Sequence, residues 1–245
     1  MTRERREPPD IIREHELDWD HFKIIPTRHY IQSILTDFFS AGASMNPPWL
    51  GAALSSGTGI SQASQIPTGI QRTGWVALKS SGSANSGYRY MTDVDSILLA
   101  GGERIELNFI INSSTNLKLR FGFQNSNTSA APNYGVWFAL NGTTLTGETI
   151  DTSSAATTAS NYTVSLYTVY RAEIILNEDA ALATFTIYDA NGDVLWTDTL
   201  ATNIPIAEGE ELGQGVIAYE AVAGTSVILV YLDRMQFDCD REIAR

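Results

Sequence analysis

Carboxylates, amides and aromatic rings are the side chains in this sequence whose spacing invites chemistry. Six acids fall on or beside strand-like runs: Glu103, Glu106, Glu148, Asp151, Glu173 and Asp233. Two carboxyls set on one sheet face, on either side of a glycosidic bond, are the machinery of sandwich-type glycosidases. Glu106 and Glu173 alternate with apolar residues and therefore sit on the non-core side of their strands. No two of the six lie at i, i+2 or i, i+4 on one strand, so they read as solvated strand charges and no catalytic residue is assigned. Asp189-x-Asn191-Gly192-Asp193 offers oxygen ligands at alternate positions, like half of a calcium loop, but lacks the distal bidentate glutamate. It reads as a hairpin turn. Tyr134 and Trp137, with Tyr162, Tyr167 and Tyr188, could present ring faces to sugars, and Gln124, Asn125 and Asn133 supply amides nearby in sequence. Asn133, Tyr134 and Trp137 are thus the candidate glycan-binding residues.

What is missing narrows the field. All three histidines (His15, His21, His29) lie in the first 35 residues, which leaves the remainder without a Ser-His-Asp or Cys-His nucleophile scheme and without histidine-based metal sites. Cys239 is the single cysteine, so no intramolecular disulfide can form. Gly57-Thr58-Gly59 precedes no helical pattern and no Lys-Ser/Thr step, so no phosphate loop is present. The net charge of −12 argues against a nucleic-acid backbone or an anionic lipid surface as partner. Neither a cofactor nor a metal is expected. The charged start, Met1-Thr-Arg-Glu-Arg-Arg-Glu-Pro-Pro, has no apolar stretch behind it, so the chain is expected to fold in a cytosol.

The elements that must carry these residues are strands. Ile105, Leu107, Phe109 and Ile111 alternate with Arg104, Glu106 and Asn108; Leu117, Leu119, Phe121 and Phe123 alternate with Lys118 and Arg120. Tyr170 to Leu176, Ala183 to Tyr188, Val194 to Asp198, Gly215 to Tyr219 and Ser226 to Met235 continue the series, with Asn191-Gly192 as a hairpin signal. About a dozen strands with polar outer sides predict an all-β domain of two packed antiparallel sheets over residues 36–245.

Residues 1–35 differ. Six of the 16 Lys/Arg and seven of the 28 acids surround sparse large apolar residues, and Pro8, Pro9 and Pro26 interrupt any long helix. A short helix is expected only over 28–35. The segment reads as an extended assembly arm, with Trp19, Phe22, Ile24, Ile25, Tyr30 and Ile31 as its anchors.

Several runs together resemble a known family: Trp49-Leu-Gly-Ala-Ala-Leu, Thr73-Gly-Trp-Val-Ala-Leu-Lys, Ala84-Asn-Ser-Gly-Tyr-Arg-Tyr, Leu119-Arg-Phe-Gly-Phe, Tyr170-Arg-Ala-Glu-Ile, Leu195-Trp-Thr-Asp and Leu229-Val-Tyr-Leu-Asp-Arg-Met. They are similar to the concanavalin A-like (LamG/lectin-type) jelly-roll domains of tailed-bacteriophage virion proteins. The likeness spans about residues 36 to 238. It implies a jelly-roll sandwich and a structural, non-enzymatic protein of the virion, on a capsid, neck or tail, assembled in the host cytoplasm. It also implies homo-oligomers, with a trimer the expectation, and carbohydrate or host-receptor binding as the alternative role. The lectins' metal-ligand cluster of acids and a histidine has no counterpart here. A glycan-cleaving activity ranks last.

Overall fold

The computed structural model describes residues 30–37, 50–54, 60–62, 75–152, 154–207, 209–224 and 228–241. Among them are sixteen strands: β1 (Tyr30–Asp37), β2 (Leu50–Leu54), β3 (Ile60–Gln62), β4 (Val76–Lys79), β5 (Gly87–Met91), β6 (Arg104–Ile111), β7 (Leu117–Gln124) and β8 (Tyr134–Asn141) come first. β9 (Thr144–Asp151), β10 (Ser154–Thr157), β11 (Tyr162–Thr163), β12 (Tyr170–Leu176), β13 (Ala183–Tyr188), β14 (Val194–Leu200), β15 (Gly213–Glu220) and β16 (Ile228–Arg241) follow. Sheet A runs β14-β13-β12-β6-β16-β4-β3, with β1 also on β16; sheet B runs β10-β9-β8-β7-β15-β5-β2, with β11 on β9. Every pairing is antiparallel. The two-sheet sandwich read from alternation is the observed architecture.

Burial follows the pleat. On β6, Ile105, Leu107, Phe109 and Ile111 enter the core; on β7, Leu117, Leu119, Phe121 and Phe123 do. Aromatic rings lock the sheets together: Phe138 of sheet B meets Phe185 of sheet A edge-on at 5.3 Å, and Phe123 meets Phe237 at 6.0 Å. Each fully buried Phe stabilises the fold by about 1.5–3 kcal/mol. Gly147 is required where Phe185 lands, because a Cβ there would lie 2.6 Å from the ring.

The helix expected over 28–35 does not form in the described part of that stretch. Tyr30–Asp37 is a strand, paired from Tyr30↔Arg241 to Asp37↔Arg234. An eight-residue helix would bear the nucleation cost alone. As a strand, the segment exchanges its backbone hydrogen bonds with the second half of β16, whose first half is paired with β4. Ile31, Ile34 and Thr36 are β-branched and suit that choice. The β-domain therefore takes in Tyr30 and Ile31, six residues before the boundary expected at 36. Trp19, Phe22, Ile24 and Ile25 lie outside the described residues. Among the described residues no helix is long and apolar enough to cross a membrane.

The Asn191-Gly192 hairpin forms between β13 and β14, with Gly192 at φ 94°. Asp189 Oδ1 accepts the backbone N–H of Asn191 (2.8 Å) and of Asp193 (2.9 Å), and its other oxygen accepts from the Asn191 amide. These bonds, the one from Asp193 foremost, hold the Asp189 carboxyl below its ordinary pKa. The carboxylate serves its own turn, which accounts for the oxygen-rich spacing.

Candidate functional site

The outer face of sheet B carries a groove of about 540 Å³. Four strands (β7, β8, β9 and β15) and one loop build it. Pairing sets Trp137 beside Glu148 and Gly122, Arg120 between Ala139 and Ile217, and Lys118 between Asn141 and Tyr219. Alternation sends Leu117, Leu119 and Phe121 inward, so Lys118 and Arg120 must point out. The β7–β8 loop folds back over this face and supplies Ser129, Ala131 and Pro132 to the rim.

Arginines hold that loop. Arg120 donates from one terminal nitrogen to the Ala130 carbonyl (2.6 Å) and from the other to the Thr128 carbonyl. Arg89, across Ile217 in the same cross-strand row, donates to the Asn127 carbonyl at 2.6 Å. Asn125 fixes the loop's far end, accepting the backbone N–H of Asn133 and of Tyr134. Arg120 is 6% exposed, and its guanidinium lies 5.9 Å from the centre of the Tyr219 ring. Burial pulls the Arg120 pKa down, opposed by Tyr219 and Glu148. Burial likewise pushes the Glu148 carboxyl up, opposed by a hydrogen bond from Trp137 and by the charges of Arg120 and Lys118.

The sequence-predicted trio is not brought together. Residues three apart on a strand face opposite ways. Trp137 lies at the groove, but only 4% exposed, with its ring against Gly135; there a Cβ would come within 2.9 Å of the ring, and φ is +154°. Tyr134 packs, half-buried, against the core between the sheets, and Asn133 is exposed on the loop. Tyr162 packs edge-on to Tyr170 at 5.9 Å, and burial, then that neighbour, pushes its hydroxyl up to about 12. Tyr167 is exposed beyond β11. Lys118, Arg120, Arg89 and Tyr219 were not singled out as site residues; two cations at i, i+2 on the outward side of one strand were the available signal.

The acids Glu106 and Glu173 are brought together, on the outer face of sheet A. They are direct cross-strand partners on β6 and β12. Both are buried, 4% exposed, beneath arginines. Arg104 bonds Glu173 at 2.5 Å and Glu106 at 2.8 Å and reaches Asp238 at 3.5 Å; Arg234 lies 3.6 Å from Glu106. Tyr188 donates its hydroxyl to Glu173 at 2.6 Å, and Arg171 stacks 3.9 Å over the Tyr188 ring. Burial lowers the Arg104 pKa, but its bond to Glu173 and the three acids more than compensate, leaving it raised. Burial and the bond to Glu173 raise Tyr188. Of the other acids, Glu103 turns back onto its own loop, accepting from the N–H groups of Ala100 and Gly101. Among the described residues no group of His, Cys, Asp or Glu is set to hold a metal ion.

Two eight-stranded antiparallel sheets, packed face to face with a groove on one outer side, define a concanavalin A-like, lectin-type jelly roll. The chain belongs to the family described as SO2946-like, C-terminal domain, which matches residues 71–233. The solved protein of unknown function SO2946 from Shewanella oneidensis MR-1 is 19% identical, with 90% of each chain covered and a TM-score of 0.69. Peanut lectin superposes at 0.58 with 13% identity over 88% of this chain and all of its own. The CBM2 module of the evolved Dit of Lactobacillus casei BL23 phage J-1 superposes at 0.55 with 11% identity, over 87% of this chain and 97% of the module. No curated protein matches the chain in sequence.

Proposed function

We propose that the sandwich is a non-catalytic recognition module whose sheet B groove takes a saccharide. The observation that carries this is the groove's lining: outward cations, the Tyr219 ring, Asn141, Thr144 and Thr146 surround an open cleft. Such a set supplies hydrogen-bond donors and acceptors for sugar hydroxyls and an aromatic edge for a sugar ring. The lectin and CBM2 likenesses support this reading, since their names mark carbohydrate-binding kinds of protein. The acid pair on sheet A favours no cleavage chemistry, because a general acid or a nucleophile needs access to substrate and these carboxylates lie beneath arginines. Binding of the full chain to immobilised oligosaccharides tests the proposal. Tyr219→Ala and Asn141→Ala should each weaken it at least severalfold with the fold intact; undiminished binding in both variants moves the site elsewhere.

A virion role is the second reading, favoured by the likeness to the CBM2 module of a phage's evolved Dit. The module would be displayed on a capsid, neck or tail, as a homo-oligomer, anchored through the segment before β1. Trp19, Phe22, Ile24 and Ile25 would then each contribute about 1.5–3 kcal/mol on burial against a virion partner. Because Tyr30–Asp37 completes sheet A, the informative deletion is 1–29, which should leave the sandwich folded and abolish incorporation into particles.

A further inference from the structure

The cations on the outer face of sheet B have Glu148 nearby but no carboxylate in direct contact among the described residues. Arg89, Lys118 and Arg120 occupy adjacent positions on β5 and β7 around Ile217 and Tyr219. None of them forms a salt bridge among the described residues, whereas Arg104, Arg171 and Arg234 all do. Arg89 and Arg120 donate only to neutral carbonyls; the buried Arg120 Nε–H has no acceptor among the described residues, as is also true of Arg171 Nε on sheet A. A buried guanidinium ordinarily sits against a carboxylate, because carbonyl dipoles alone replace its hydration incompletely. Glu148 is the one carboxylate in the groove lining; burial pushes its pKa up, against the hydrogen bond from Trp137 and the charges of Arg120 and Lys118. Two cations, Lys118 and Arg120, therefore line the groove with one acid, and Arg89 stands across Ile217 from them, in a chain whose net charge is −12. The bulk field repels anions, so only a local excess of this kind could capture one.

We propose that the groove selects an anionic saccharide, one bearing carboxylate or sulfate groups, with Lys118 and Arg120 meeting the charge. This rests on the saccharide-binding reading above and adds its charge class. Lys118 is the accessible contact: it is half-buried at the groove and its side chain makes no hydrogen bond among the described residues. Arg120, fixed by the loop, supplies a charge already stripped of most of its water. Tyr219, between Lys118 and Gly87 in the cross-strand row, stands beside both.

The test applies the full chain to an array holding uronate-containing, sulfated and uncharged oligosaccharides, followed by calorimetry on the strongest binders at low and physiological salt. Acidic glycans should dominate, their affinity should fall as salt rises, and Lys118→Glu should cost roughly tenfold or more at unchanged thermal stability. Preference for uronates over sulfates, or the reverse, identifies which anion the groove fits. Binding confined to uncharged glycans and indifferent to Lys118→Glu overturns the charge assignment while leaving the recognition module standing. Absence of binding to every glycan class overturns the recognition reading, and this inference with it.

Discussion

The two outer faces of the sandwich use arginine in opposite ways. On sheet A, Arg104, Arg171 and Arg234 close over Glu106, Glu173 and Asp238, three charges against three, with Tyr188 completing the set. On sheet B, Arg89 and Arg120 grip the carbonyls of the loop running from Asn125 to Asn133, and Lys118 forms no ion pair among the described residues. Both sets occupy outward strand positions, so their sequence environment is alike. The difference lies in what the neighbouring strand offers: Glu173 stands opposite Glu106 on one face, Ile217 opposite Arg120 on the other. A face that satisfies its own charges is scaffold. A face that does not has capacity left for a ligand.

Breaking the closed face should cost the most. Glu173→Ala removes the shortest of the three carboxylate contacts of Arg104 and the carboxylate acceptor of the Tyr188 hydroxyl at once. Loss of one partner of a buried pair costs about 3–5 kcal/mol. Arg104 and Arg171 keep roughly a third of their side chains in solvent, which screens them, so about 2–3 kcal/mol is expected here. Urea unfolding reads this directly. If Glu173→Ala is as stable as the parent, the cluster is not structural, and its carboxylates become open to a functional role again.

A middle-sized effect is expected from Arg120→Ala. It removes two hydrogen bonds from a charged donor to the β7–β8 loop, about 1.5–3 kcal/mol each in principle. It also removes a buried charge without a carboxylate partner, and that relief offsets part of the loss, leaving about 1 kcal/mol. The distinctive readout is local. Amide exchange should accelerate across 125–133 and not on β6 or β12. Uniform acceleration would mean that Arg120 stabilises the whole sandwich, and the contrast between the two faces would lose its basis.

Much of the fold was legible because a strand repeats every two residues. Ile105, Leu107, Phe109 and Ile111 announce β6 and its buried side, and Asn191-Gly192 announces its hairpin, from the sequence alone. The segment Tyr30–Asp37 was not legible, since Tyr30, Ile31, Ile34 and Leu35 also fit a short helix; its partner, Arg234–Arg241, stands at the opposite end of the chain. The sites were less legible for the same reason. Glu106 and Glu173 meet through the register of β6 with β12, and Arg120 meets its loop through a turn, and neither appears in local spacing. The separation of Tyr134 from Trp137 could have been read, because an interval of three residues reverses the face.

The smallest effect separates the faces by pH. Burial raises the Glu148 carboxyl above its unfolded value, so between the two pKa values the folded protein binds more protons than the unfolded chain. By linkage, stability then falls as pH rises through that window, and above it a constant penalty persists. Glu148→Gln removes the titration. The variant should match the parent below the unfolded carboxylate pKa and gain on it as pH climbs through the window, with thermal unfolding at several pH values as the measurement. The partial exposure of Glu148 and the nearby Arg120 and Lys118 keep the gain small. A variant that instead loses stability at neutral pH would show that Glu148 already works as the counter-ion of Arg120. The groove would then be satisfied like sheet A, and the expected preference for anionic saccharides would go with it.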